Sequence, residues 1–106
     1  MKVNITRQLS GGQYIVRFAV TGFTTEEVAK MNSFGIPLIQ MRQNVAGGVQ
    51  NVQVAITQIN PNYVASFTSE EQANQYQQTV LGQINNAMKS LRDRKDDFTS
   101  TQEVEI

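Results

Sequence analysis

Between Ser69 and Lys95 the chain places Ala73, Tyr76, Val80, Ile84, Ala87, Met88 and Leu91 at steps of three and four, and no proline interrupts the run. That spacing lines the apolar side chains along one stripe of an α-helix. Thr68 with Glu71 reads as a capping box, and Glu70 and Glu71 put negative charge where a helix dipole favours it. At about 1.5 Å per residue such a helix is roughly 40 Å long, whereas a chain of this length folds to a globule some 33 Å across. The rest of the molecule must therefore be laid along one helix, whose last turns are expected to project beyond it.

What remains has the period of β-structure. Lys2 to Gln8 alternates, with Val3 and Ile5 on one side and Lys2, Asn4 and Thr6 on the other. Ser10-Gly11-Gly12 supplies a turn, and Gln13 to Thr21 continues as a strand with Tyr14, Val16, Phe18 and Val20 on one face. Thr24, then Glu26-Glu27, opens a short helix to about Ser33; its stripe of Val28, Met31 and Phe34 is expected to lie on the sheet, and Gly35 before Ile36-Pro37 ends it. Ile36–Gln43 and Val49–Ile59 form a second hairpin about Ala46-Gly47-Gly48. Asn60-Pro61-Asn62 is a turn, and Tyr63–Phe67 is either a short edge strand or the approach to the long helix.

The order β-β-α-β-β-(β)-α defines an α+β fold: a mainly antiparallel sheet of four or five strands with one short and one long helix on one face. Residues 1–97 form a single domain, and residues 98–106 a polar C-terminal tail that is either frayed or an added strand. The expected core is Val3, Ile5, Val16, Phe18, Val20, Val28, Met31, Phe34, Ile39, Val52, Val54, Ile56, Tyr76, Val80, Ile84, Ala87 and Leu91. A heptad seam can also be written on the long helix, but the width of its stripe favours packing on its own sheet.

The 106 residues include no Cys, no His and no Trp. Thiol and imidazole chemistry are thereby excluded, and with them disulfides, the usual serine triad and the common zinc and copper sites. No apolar run approaches the roughly 18 residues that cross a bilayer, and Met1 to Arg7 alternates where a signal peptide would be apolar. A cytoplasmic protein without membrane contact is the expectation. Nine basic and nine acidic residues balance, while 13 Gln and 9 Asn take the place of many surface charges. In this style of composition the chain resembles small proteins of phages and mobile elements; no known family's motifs match it residue by residue.

The acidic pairs Glu26-Glu27 and Glu70-Glu71 sit where first-turn acids stabilise a helix, so capping is favoured over catalysis. Asp93, Asp96 and Asp97 share a turn with Arg92, Arg94 and Lys95, which neutralise it, and a solvated helix end is favoured over a Mg²⁺ site. Gly11-Gly12 and Gly47-Gly48 lack the G-K-[S/T] continuation of a phosphate loop and read as hairpin turns. No catalytic residue, metal site or cofactor is expected, and the chain is read as no enzyme.

The candidate interaction surface comprises Arg17, Gln40, Arg42 and Gln53 on an open sheet face, the Gly47-Gly48 loop, and a basic handle of Lys89, Arg92, Arg94 and Lys95 at the helix end. Residues 1–67 hold five bases and two acids, net +3, and residues 68–106 four bases and seven acids, net −3. The expected role is a small structural or protein-interaction module that binds a protein partner or itself. The alternative is a nucleic-acid-binding domain using the same face. Against it stand the neutral total charge and the lack of outward aromatic rings, since Tyr14 and Phe18 share the core face.

Overall fold

The computed structural model describes residues 1–59, 63–94 and 103–106. Five strands and two helices run in the order β1 (Lys2–Ser10), β2 (Gln13–Thr21), α1 (Thr25–Phe34), β3 (Leu38–Val45), β4 (Gly48–Ala55), β5 (Ala65–Phe67) and α2 (Glu70–Asp93), with a 3₁₀ turn at Ile56–Gln58. The architecture is α+β with antiparallel pairing. The strands divide into a three-stranded sheet of order β1-β2-β5 and a β3-β4 hairpin. In the first, Gly11 and Gly12 both take positive φ, 58° and 77°, which lets Ser10 pair with Gln13 across a two-residue turn.

Tyr63–Phe67 resolves in favour of a strand, although β5 is no free edge: it pairs with β2 on one side and meets β3 on the other. The Asn44 N–H donates to the Val64 carbonyl at 3.3 Å, and the Ser66 N–H donates to the Asn44 side-chain oxygen at 2.8 Å. The Asn44 amide stands where a backbone carbonyl would complete a parallel bridge, and this seam joins the two sheets.

The core gathers Val16, Phe18 and Val20 of β2, Ile39 and Met41 of β3, Val54 and Ile56 after the second turn, Ala65 and Phe67 of β5, and Ala73, Val80, Ile84, Met88 and Leu91 of α2. The helix stripe is thus spent on its own chain, which leaves no seam for a coiled coil. Val3, Ile5, Phe34, Val52, Tyr76 and Ala87 are half-buried against this cluster.

Three expectations are corrected. Val28 is 43% exposed because α1 turns Glu27 and Met31 inward instead. The Glu27 carboxylate accepts from the Thr24 N–H at 2.8 Å and lies 3.7 Å from the Met1 ammonium, so capping holds this side chain against the body. The cap of α2 is Ser69, one residue later than the Thr68 box, and its hydroxyl accepts from the Gln72 N–H at 3.4 Å. The last turns of α2 do not project freely: α1 packs on them, Leu91 and Met88 are buried, and Lys30 Nζ donates to the Arg92 carbonyl.

The expected turn at Asn60-Pro61-Asn62, the acids Asp96 and Asp97, and residues 98–102 of the tail lie outside the described residues. Residues 103–106 have no regular structure, with Val104 and Ile106 exposed.

Candidate interaction surface

A β-hairpin has two edges, and the hairpin β3-β4 treats them in opposite ways. In an antiparallel pair, residues directly opposite one another aim their N–H and C=O groups either at each other or both outward, in alternation. On β3 the outward N–H groups are those of Gln40, Arg42 and Asn44, and each has a partner. The Gln83 side chain of α2 accepts from the Gln40 N–H at 3.0 Å and donates to the Gln40 carbonyl at 3.3 Å, so one amide side chain pairs with the strand as a peptide would. The Tyr76 hydroxyl accepts from the Arg42 N–H at 2.9 Å. Asn44 is held at the β5 seam. Helix α2 thereby closes this edge with side chains spaced two turns apart.

The register sets the outward residues of β4 as well. Gln40 lies opposite Gln53, Arg42 opposite Asn51 and Asn44 opposite Val49. Because the β3 members of these pairs aim their backbone outward, Val49, Asn51 and Gln53 do so on the far side of β4. Among the described residues no strand, helix or side chain covers that edge, and all three residues are exposed. The strand G-V-Q-N-V-Q-V-A carries no charge and no proline. Folded proteins guard such edges with lysines, prolines, bulges or covering segments, and β4 has none of these among the described residues. The other outer strand, β1, carries Lys2 and Arg7.

The four residues expected on one open face do not share it. Arg17 lies opposite Thr6 on the side of β2 that faces away from α2, where it donates to the Gln8 side chain at 3.0 Å. Lys2, Asn4, Thr6, Gln8, Ile15 and Ala19 surround it, and that face offers no aromatic ring. Gln40, Arg42 and Gln53 share a face of the separate β3-β4 hairpin, where Arg42 lines a groove with residues of α2. Gly47 (φ 92°) and Gly48 (φ 146°) form the exposed tip of this hairpin, flanked by Val45 and Val49, which are 42% and 48% exposed. Ala46 and Gly47 have the φ signs of a type II turn.

At the end of α2, Lys89, Arg92 and Arg94 are exposed, and the Arg94 guanidinium sits 5.7 Å from the Phe34 ring centre. Lys95 lies outside the described residues. This cluster is a solvated helix end braced against α1, with one cation on an aromatic ring.

Arg42 has a different setting. Its guanidinium stacks on Phe67, 4.6 Å from the ring centre, and its Nε is buried with no acceptor. No carboxylate among the described residues pairs with it. A groove of about 350 Å³ lies over it, lined by Phe67 and by Gln72, Gln75, Tyr76 and Thr79 of α2. Burial raises the Tyr76 phenol above its ordinary pKa, against the smaller opposing effects of the bond from the Arg42 N–H and the Arg42 charge.

Val49, Asn51, Tyr76 and Gln83 belong to the surface site, although sequence reasoning does not place them there. The signal for the first two is a run from Gln43 to Ser69 without one charged residue. The signal for the others is the spacing of seven that puts Gln83 two turns beyond Tyr76 on the same side of the helix. Among the described residues no cluster of three or more His, Cys, Asp or Glu is placed to hold a metal, and no helix is long and apolar enough to cross a membrane. Comparison with known protein families, with curated proteins and with solved structures finds no match.

Proposed function

We propose that this protein is a self-associating structural module in which the free edge of β4 pairs with β4 of a second copy. The observation that carries this reading is the contrast between the two edges of one hairpin: β3 is closed at every outward N–H from Gln40 to Asn44, and β4 is open at Val49, Asn51 and Gln53. A second copy is the occupant favoured by chemistry, because an uncharged strand meets itself without repulsion in an antiparallel two-fold arrangement. Asn51 lies near the middle of the outward-facing set, so a two-fold axis there brings each amide-bearing stretch against its own copy.

The three outward residues of each copy supply six N–H donors for six inter-chain bonds. At about 1 kcal/mol each, they offer roughly 6 kcal/mol against the cost of association, which places the dimer in a concentration-dependent range. Val45 and Val49 add apolar area at the tip.

The test is the solution mass of the full chain by light scattering across a concentration series, for the native protein and for the double variant Asn51→Lys/Gln53→Lys. The native protein is expected to dimerise with little dependence on salt. With the two-fold axis at Asn51, the variant sets the charge at position 51 opposite its own copy and the charges at position 53 diagonal to it. The directly opposed pair costs on the order of 1 kcal/mol even in water, and with the two diagonal repulsions association weakens at least about tenfold. A native protein that stays monomeric, or a variant that associates as well as native, overturns the reading. The nucleic-acid alternative has less support, because the open face around Arg17 lacks rings for stacking and its arginine is bonded within the sheet.

A further inference from the structure

We propose that the groove over Arg42 is a binding site for a carboxylate group. The site is separate from the β4 edge and does not depend on self-association. A guanidinium at a protein surface ordinarily finds an acid, a carbonyl or full hydration. Arg42 is half-buried, is fixed on Phe67 by stacking, has its Nε shut away without an acceptor, and forms no hydrogen bond to a described residue through its terminal nitrogens. An uncompensated, partly desolvated cation of this kind is costly in a domain of neutral total charge, and an incoming anion offsets that cost.

The lining selects the kind of anion. Phe67 covers one face of the guanidinium, so its terminal N–H groups are offered in the plane of the fork, the geometry that a planar carboxylate meets with two parallel bonds. The other polar lining residues, Gln72, Gln75, Tyr76 and Thr79, are neutral, so a single positive charge faces a single negative one. A phosphate dianion would bring a second charge with nothing to balance it. The exposed amides of Gln72 and Gln75 stand at the rim as further donors, whereas the Thr79 hydroxyl already donates to the Gln75 carbonyl at 2.9 Å.

The test monitors the Arg42 Nε–H resonance of the full chain by NMR at constant ionic strength. Sodium acetate, the blocked peptide N-acetyl-Gly-Glu-Gly-amide and inorganic phosphate are added in separate titrations, and the Arg17 signal serves as internal control. The expected result is a saturable shift of Arg42 with acetate, no comparable shift of Arg17, and a phosphate response at least tenfold weaker. Arg42→Lys, which keeps the charge and loses the fork, is expected to weaken acetate binding about tenfold, read from the backbone amides of β3. Tighter binding of the peptide than of acetate assigns the carboxylate to an acidic side chain of a polypeptide; equal binding assigns it to a free carboxylate. A linear, unsaturated response shared with Arg17, or tighter binding of phosphate, overturns the proposal.

Discussion

Tyr76→Phe isolates the closure of β3 by α2. The phenol ring packs edge-on to Phe18 at 6.0 Å and against Phe67 at 5.3 Å, and phenylalanine keeps both contacts. What is lost is the hydroxyl that accepts the Arg42 N–H at 2.9 Å. A donor left without a partner costs about 1–3 kcal/mol when shut from water, and the half-buried setting of Tyr76 puts the loss near the lower end. For a domain of about 100 residues, 1 kcal/mol corresponds to a melting temperature lower by some 4–8 °C.

The pH dependence supplies a second readout. Burial raises the phenol pKa in the folded state, so above pH 10 the unfolded chain releases this proton first and binds fewer protons than the native state. Stability contributed by Tyr76 therefore declines as pH rises past the ordinary phenol value, and the variant lacks that part of the decline. Urea titrations of both proteins at neutral pH and at alkaline pH measure the two effects. A variant as stable as native at neutral pH, with the same loss of stability in base, refutes the role assigned to the hydroxyl.

Glu27→Ala removes the carboxylate that accepts the Thr24 N–H and faces the Met1 ammonium, at an expected cost of about 1 kcal/mol in urea unfolding. The Thr24 N–H bond is the main cause holding the Glu27 pKa below its ordinary value, so this part of the native stability is present above that value and fades as pH falls through the carboxylate range. The alanine variant is expected to lose less on acidification. Gly12→Ala has open space around the added carbon but is forced to φ +77°, so the backbone alone sets a penalty of about 1–2 kcal/mol, measurable by the same titration.

Periodicity made the strands of the first hairpin and the stripe of α2 legible, since Val16, Phe18, Val20, Val80, Ile84 and Leu91 are buried where a period of two or of 3.6 puts them. The helix starts were legible to within a residue because Thr24 and Ser69 sit at caps. Local pattern does not say which hairpins join into one sheet, and for that reason Arg17 parted from Gln40, Arg42 and Gln53. Val28 failed for a related reason: a stripe of three apolar residues on a short helix yields to one well-bonded carboxylate, Glu27. The division of labour between the edges of β3 and β4 was hidden because Gln83 and Tyr76 act through a register that only tertiary structure sets. Tyr76 reads as a member of the apolar stripe and Gln83 has no assigned role until the strand beside them is known.

Amide hydrogen exchange measured residue by residue at two protein concentrations tests the β4 edge most directly. Gln50, Val52 and Val54 aim their N–H groups at β3 and are expected to be protected equally at both concentrations, as a control within the same strand. Val49, Asn51 and Gln53 are expected to exchange quickly when dilute and to gain protection as concentration rises. Fast exchange at these three residues at every concentration, with the control amides protected, contradicts pairing through β4.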